Sequence, residues 1–201
     1  SCSSCHAEDL HGTSGPALMG QAFVDIWRED SLSSLYDLIQ TTMPRRAAGS
    51  LGEQTYVDIL SHMLSLNGFP AGSEQLTPQQ IAGVRFEGQD GPAPIPEFAL
   101  VQAVGCLEER SGGEWALTSV SDPVRIRDPE APTDAQLRSA EDITLGTGTY
   151  RLVYMDSLRP GFEPESHVGH KLHVKGYLLS NDRGDGLSLT RLSAVATTCE
   201  G

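Results

Sequence analysis

Hydrophobic residues recur with two different periods along this chain, and the period changes between its halves. Over residues 31–39 the apolar positions 32, 35, 36, 38 and 39 fall on one face of a helix, and Ser31 is the predicted N-cap. A second apolar face runs from Tyr56 to Leu64, behind a capping-box pattern of Ser50 and Glu53, and Asn67-Gly68 is predicted to end that helix. The pattern therefore predicts a helical domain over residues 1–71.

Beyond residue 96 the apolar positions alternate with a period of two, which is typical of strands. Residues 72–96 are rich in glycine and proline and are predicted to form a linker or a wrapping segment. Hairpin turns are predicted at Ser111-Gly112-Gly113 and over residues 181–186. The acidic, proline-containing stretch 128–142 is interpreted as a loop, with a short helix inside it as the alternative. Five strands are predicted, over residues 98–107, 114–118, 149–154, 171–179 and 187–196, which makes residues 97–201 a small β domain.

Charge and composition exclude several classes of function. The chain has 201 residues, a formal net charge of −13 and only 6% aromatic residues. A nucleic-acid-binding protein needs basic side chains against the phosphates and usually aromatic rings against the bases, so nucleic acid is excluded as a partner. No apolar run approaches the roughly 18 residues of a membrane-spanning helix, so we expect the chain to be peripheral to a membrane at most.

The strongest chemical signal is Cys2-Ser3-Ser4-Cys5-His6. Two cysteines separated by two residues and followed by histidine match the attachment signature of c-type haem, in which both thiols bond one macrocycle and the histidine binds its iron. A thioredoxin-like redox pair would follow a strand, and this one lies among helical patterns. A zinc site would need a second pair of ligands nearby, which the sequence lacks.

Further motifs follow the cysteine pair in a specific order. They are Gly15-Pro16-Ala17-Leu18, then Thr41-Thr42-Met43-Pro44, then Gly49-Ser50-Leu51, a Tyr-Val-Asp-Ile-Leu stretch at 56–60 and a Leu-Asn-Gly-Phe-Pro-Ala-Gly stretch at 66–72. With these motifs, residues 1–71 resemble the class I c-type cytochromes, and most of all the short haem-c domains that serve periplasmic quinoprotein dehydrogenases. The resemblance covers about a third of the chain.

The resemblance implies a fold, a cofactor and a set of site residues. The fold class would be an all-α class I cytochrome c domain followed by a small all-β domain, an OB-like barrel or a sandwich. One haem c would be attached covalently to Cys2 and Cys5, with His6 and Met43 as iron ligands. The carbonyl of Pro16, in the turn with Gly15, would accept a hydrogen bond from Nδ1 of His6.

This chain departs from the family pattern in two places. Ala7 stands where the family has glycine after the motif histidine. The family also has a helix before the cysteine pair, and only Ser1 precedes Cys2 here. We expect that helix either to lie outside the sequence given or to be replaced by another part of the chain or a partner.

Other candidate ligands are weaker. Met19 lies too close in sequence to the motif to cross the haem, Met63 is on the apolar face of a helix, and His62 is interpreted as a surface or propionate-side residue rather than the ligand of a bis-histidine site. Among His167, His170 and His173, turn and strand-surface positions are favoured over a metal site or a ligand to a neighbour's haem. Residues 182–186 have some acidic spacing of a calcium loop but lack its final glutamate.

Cys106 and Cys199 lie near the ends of the first and last predicted strands, which can be neighbours in an OB-type barrel. A disulfide is predicted between them, with two buried thiols as the alternative. Disulfides persist outside the reducing cytosol, where haem c is also attached, so a periplasmic or extracellular location is expected.

Together these patterns predict an extracytoplasmic monohaem electron carrier without substrate chemistry of its own. Its partners would be redox proteins: a dehydrogenase or a respiratory or photosynthetic complex as donor, and a downstream acceptor. Because residues 1–75 carry three arginines against nine acidic residues, a partner with a basic rim would be steered to them. The alternatives are a structural haem subunit of a larger complex or filament, assembled through the β domain, and a peroxidase-like site in which Met43 does not bind the iron.

Overall fold

The computed structural model describes residues 2–78, 80–81, 84–158, 161–181 and 184–199. The chain divides into two compact units, Ser1–Ala93 and Pro94–Gly201. Among the described residues, no helix is both long enough and apolar enough to cross a membrane.

Capping residues close in sequence mark the ends of helices in the first unit. In its described part the helices are α1 (Ser3–His6), α2 (Gln21–Trp27), α3 (Leu32–Thr42) and α4 (Glu53–Leu66). The predicted cap at Ser31 is confirmed, because its hydroxyl accepts from the Ser34 amide at 3.2 Å. The end of α4 is also confirmed, since Asn67 is its C-cap and Gly68 has a φ of +80°. The predicted capping box is wrong: Gly52 is the N-cap of α4, without a side-chain hydrogen bond.

One apolar core holds the first unit together. Its aromatic centre includes Phe86, whose ring is edge-on to Phe23 at 5.8 Å and tilted against Phe69 at 4.7 Å. Phe86 and Ile81 come from the segment predicted as a linker or wrapping segment, and both are buried in this core. The other buried members are Phe23, Val24, Trp27, Leu32, Leu35, Tyr36, Tyr56, Val57, Leu60 and Met63.

The second unit is built on one sheet. Its described strands are β1 (Leu100–Arg110), β2 (Glu114–Val120), β3 (Val124–Arg125), β4 (Gly148–Val153), β5 (Lys171–Asn181) and β6 (Gly184–Ala196). The order is β2-β4-β6-β5-β1-β3, and β2 also pairs with β1, so five of the strands close into a ring. All neighbours are antiparallel except β4 and β6. The turn at residues 111–113 is confirmed by pairing of Arg110 with Glu114, whereas the predicted turn at 181–186 includes residues 182 and 183, which lie outside the described residues.

The predicted fold class, an all-α class I cytochrome c domain followed by a small all-β domain, is wrong. In its described residues the chain is a mixed α and β protein with a six-stranded sheet. The strand-rich unit also contains helix α5 (Asp134–Glu141) and 3₁₀ helices at Met155–Leu158 and Pro164–His167. Helix α5 forms because Thr133 and Gln136 build a reciprocal capping box, a local signal inside a proline- and acid-rich stretch.

The structure contains the predicted disulfide between Cys106 and Cys199, but the predicted reason is wrong. The first and last strands are not neighbours, because β5 lies between β1 and β6. Lys171 of β5 pairs with Cys106 on one side and with Ala196 on the other. The three residues after Ala196 therefore reach past the start of β5, where the two Cα atoms of the bridge are 5.7 Å apart.

Candidate functional site

The two cysteines of the motif and its histidine lie on one helical turn at the start of the chain. The His6 and Cys5 amides both donate to the carbonyl of Cys2, at 3.0 and 3.2 Å, which closes the turn. Cys2 is exposed and Cys5 is partly buried, and both are free thiols. His6 is 6% exposed. The sequence thus places two accessible sulfur atoms beside one buried imidazole.

A loop over residues 7–17 fixes the His6 ring. Nδ1 of His6 lies 2.7 Å from the carbonyl oxygen of Pro16, which can only accept, so Nδ1 carries the hydrogen. The loop is tied back to the turn by the amides of Gly12 and Gly15, which donate to the carbonyls of His6 and Cys5 at 3.0 and 2.8 Å. No hydrogen bond to Nε2 of His6 occurs within the described part of the chain, so this nitrogen keeps its lone pair available.

Position 15 requires glycine because the His6 ring lies close to its Cα atom, and not because of its backbone angles. A Cβ atom added to Gly15 would lie 2.9 Å from Cε1 and 3.0 Å from Nδ1 of His6. A side chain there would therefore displace the imidazole from the Pro16 carbonyl. This explains physically why glycine precedes proline in the motif.

Ala7, which follows the motif histidine, adopts a φ of +67°. L-residues rarely occupy this region, because the Cβ atom crowds the neighbouring carbonyl oxygen. The replacement of glycine by Ala7 is therefore more than a minor change, since the turn needs a conformation that favours glycine.

Electrostatics favour the thiolate of Cys5. A hydrogen bond from the Ser14 side chain, with a smaller contribution from Ser4, lowers the pKa of Cys5. The charges of Arg45 and Arg46 act in the same direction. The shift therefore favours the deprotonated form of Cys5.

Met43 is the C-cap of α3 and is half-buried. Its amide donates to the carbonyl of Ile39 at 2.9 Å, and its own carbonyl accepts from the Tyr56 hydroxyl at 2.8 Å. These two bonds hold the backbone of Met43 between α3 and α4. The structure thus brings Cys5, His6, Gly15 and Pro16 into contact, and it places Met43 at the end of α3, bonded to Ile39 and Tyr56.

The rival ligands have other surroundings. Met63 is 3% exposed within the apolar core, and His62 beside it is exposed. Met19 lines a cavity of about 440 Å³ together with Asn67, Arg28 and Asp90. Neither His6 nor Met43 lines that cavity, so it is not where the two predicted iron ligands lie.

Sequence reasoning missed the role of Asn67, which it interpreted only as a helix end. Its buried side chain accepts from the Gly20 amide at 2.9 Å and donates to the carbonyls of Leu18 and Met63, at 3.0 and 2.8 Å. It clamps the stretch after the Gly15-Pro16 turn to the end of α4. A helix-ending Asn-Gly pair carries no signal of this long-range role.

The histidines of the second unit divide into a pair and a single residue. Nδ1 of His167 lies 3.1 Å from Nδ1 of His170, and the His167 ring stacks on Phe162 at 4.5 Å. His173 was predicted to lie on a strand surface, which is wrong, since it is 3% exposed. Burial lowers the pKa of His173 to about 4, and the nearby charge of Lys175 acts in the same direction.

The chain's two lysines, both on β5, hold the segment 126–143 against the face of β5 opposite the sheet core. Nζ of Lys171 donates to the carbonyls of Glu141 and Ile143, at 2.6 and 3.0 Å, at the end of α5. Nζ of Lys175 donates to the carbonyls of Asp128 and Glu130, at 3.1 and 2.8 Å. These lysines therefore have a structural role. Separately, the residues that the structure describes contain no group of three or more His, Cys, Asp or Glu side chains suited to a metal ion.

Comparison with protein-family models, curated proteins and solved structures gives no match to this chain. The identification of residues 1–71 as a class I c-type cytochrome domain, with an OB-like second half, is wrong as a family assignment. The findings against it are the mixed architecture, the absence of a family match and the lack of a metal-binding cluster within the described residues. The motifs behind the resemblance are three to seven residues long.

Proposed function

We propose that Cys2 and Cys5 carry one covalently attached haem c and that the protein transfers single electrons. The observation that carries this proposal is the state of His6. Its ring is buried, its Nδ1 is bonded to the Pro16 carbonyl, and its Nε2 has no partner among the described residues. A metal-ligating histidine needs this arrangement, since the second nitrogen must be oriented by an acceptor.

The thiols support attachment in two respects. Both are free, whereas the other two cysteines of the chain are bonded to each other. The lowered pKa of Cys5 favours the more nucleophilic thiolate form. The donor set of two thiols and one imidazole nitrogen on one turn fits a haem c.

Met43 is the proposed second ligand of the iron. Tyr56 and Ile39 fix its backbone at the end of α3, and its half-buried side chain is followed by Pro44. When bound, the haem supplies an iron that alternates between the ferrous and ferric states, and a thioether ligand raises its reduction potential. The protein orients the imidazole, presents the sulfur and shields His6 from water.

The proposed setting is outside the cytosol. The disulfide between Cys106 and Cys199 is compatible with an oxidising compartment, where haem c is also attached. The proposed partners are a dehydrogenase or respiratory complex as donor and a downstream acceptor.

Export of the full chain in a host with a cytochrome c maturation system tests the proposal. We expect one haem per chain that resists acid–acetone extraction, and a low-spin spectrum whose weak long-wavelength methionine-to-iron band is lost in Met43→Ala but kept in Met19→Ala. Double replacement of Cys2 and Cys5 by alanine should abolish attachment.

The matched control is double replacement of Cys106 and Cys199 by serine, which also removes two cysteines but should retain the haem. Absence of covalent haem from the exported, folded wild-type chain would overturn the proposal.

A further inference from the structure

Two histidines of the second unit face each other across the turn that precedes β5. The His170 amide donates to the His167 carbonyl at 3.0 Å and closes a four-residue turn. Its third residue, Gly169, has a φ of +80°, as the third position of a type II turn requires. The two Nδ1 atoms lie 3.1 Å apart, with the ring planes inclined by 83°. The turn therefore brings two imidazole nitrogens together at one point.

This histidine turn (residues 167–170) is held in place by its neighbours. The Gly169 amide donates to the Leu107 carbonyl at 2.9 Å, and the Leu107 amide donates to the His170 carbonyl at 3.1 Å, so the turn is bonded to β1. The ring of His167 stacks on Phe162, with the two planes 16° apart. Both histidines are partly buried. The backbone and one of the rings are thus fixed before a ligand arrives, which lowers the entropic cost of binding.

Two facing imidazole nitrogens suit either a shared proton or a metal ion. When both rings are neutral, one Nδ1 donates a hydrogen bond to the other. Zinc binds imidazole nitrogen at about 2.0–2.1 Å, and two such bonds to atoms 3.1 Å apart enclose an angle of about 100° at the ion, close to the tetrahedral angle. Imidazole donors also favour zinc, copper and nickel over magnesium and calcium, which prefer oxygen ligands. The spacing of the pair therefore fits a zinc ion.

The charges around the histidine turn favour a cation. Residues 163–170 include the exposed carboxylates of Glu163 and Glu165 and contain no lysine or arginine. Lys171 comes next, but its ammonium group is buried and donates to the carbonyls of Glu141 and Ile143. The second unit as a whole has sixteen acidic residues against ten basic ones. A divalent cation is therefore attracted to this unit rather than repelled.

We propose that His167 and His170 form a two-histidine chelating site for a zinc ion. Both Nδ1 atoms bind the ion, and the proton that one of them carried moves through solvent to Nε2 of the same ring, so both imidazoles stay neutral. Among the described residues no third His, Cys, Asp or Glu completes the site, which leaves its other positions to water or to a donor from another molecule. Structural zinc sites have four protein ligands and catalytic ones three, so zinc bound here is exchangeable. The site does not depend on the proposed haem.

Titration of the full chain with zinc chloride, followed by the ¹H–¹⁵N resonances of the histidine rings, tests the site without any substitution. We expect the Nδ1 resonances of His167 and His170 to shift together and to saturate at one ion per pair, whereas magnesium chloride should leave them unchanged. Free thiols also bind zinc, so only signals assigned to these two rings count as evidence. If zinc shifts the resonances of other histidines, such as His6 beside the cysteines, and leaves this pair unchanged, the proposal is overturned.

Asparagine replacements separate zinc binding from the hydrogen bond between the two rings. In His167→Asn or His170→Asn the amide still bonds to the remaining imidazole, but it offers no nitrogen donor to the ion. Two donors on one turn act as a chelate, so we expect each replacement to weaken zinc binding at the remaining ring by about 100-fold. The matched control, His62→Asn, removes an exposed histidine of the first unit and should leave the affinity unchanged. Wild-type affinity in either asparagine variant, or an equal loss in the control, would refute the site.

Discussion

The substitution Gly15→Ala tests whether the loop after the cysteine turn holds the His6 ring in place. The added methyl group would lie 2.9 Å from Cε1 and 3.0 Å from Nδ1 of His6, and 3.3 Å from the carbonyl oxygen of Cys5. Real Cβ atoms essentially never approach a neighbour closer than 3.0 Å, so the imidazole must move. Movement of the ring lengthens or breaks the 2.7 Å hydrogen bond to the Pro16 carbonyl.

Two contributions set the size of the effect. Loss of one hydrogen bond of a buried group costs about 1 kcal/mol, and forcing an extra methyl group into a packed site costs about 1–3 kcal/mol. We therefore expect Gly15→Ala to lower the free energy of unfolding of the first unit by about 2–4 kcal/mol. Urea unfolding followed by far-ultraviolet circular dichroism measures this, because most helical residues belong to the first unit.

Two control variants separate the clash from general effects of alanine. Among the described residues, no atom lies within 4 Å of a Cβ added to Gly72, so Gly72→Ala should change the stability by less than about 0.5 kcal/mol. Pro16→Ala keeps the backbone carbonyl and should keep the hydrogen bond. Long-range ¹H–¹⁵N spectra report the tautomer of His6, and we expect the Nδ1–H form in wild type and Pro16→Ala but not in Gly15→Ala. If Gly15→Ala is as stable as Gly72→Ala and His6 keeps its tautomer, the reasoning is refuted.

Three further predictions concern the second unit. Lys175→Met removes a buried ammonium from two backbone carbonyls, so we expect the free energy of unfolding of the second unit to fall by about 2–4 kcal/mol. We also expect new protease cleavage in segment 126–133. If this segment resists the protease as well as in wild type, the prediction is wrong. His173 has a pKa of about 4 in the folded protein and an ordinary value of 6.5, so only the unfolded chain takes up its proton between these pH values. Stability should therefore fall by about 3 kcal/mol from pH 7 to pH 4, a slope that His173→Phe removes and the exposed-site control His62→Gln keeps. Double replacement of Cys106 and Cys199 by serine opens a loop with a sequence separation of 93, and we expect a loss of about 4 kcal/mol in urea unfolding; a loss below about 1 kcal/mol would show that the unfolded chain is not constrained by the bridge.

Local signals account for what the sequence predicted correctly about the fold. The five predicted strands all occur, and the cap at Ser31, the end of α4 at Asn67 and the turn at Gly112-Gly113 are as expected. Each of these depends on side chains that lie within a few residues of one another. The Cys2, Cys5 and His6 arrangement is likewise a property of a single helical turn.

Features that join distant parts of the chain could not be predicted. Strand β3 is two residues long and exists only because β1 pairs with it. The position of β5 between β1 and β6, which brings Cys199 to Cys106, follows from the closure of the strand ring. Nothing near Lys171 and Lys175 in the sequence indicates that they donate to backbone carbonyls 28 to 47 residues away.

The sequence by itself determined the local elements and the donor set at the cysteine turn, because backbone propensity and spacing act over one or two turns of chain. Only the tertiary structure decided what surrounds those donors and which charged groups are paired. The orientation of His6 depends on a carbonyl ten residues away, and Arg28 and Arg85 both meet the buried carboxylate of Glu29 only in the folded unit. Burial and long-range hydrogen bonding set these properties, and they exist only once the chain has closed on itself.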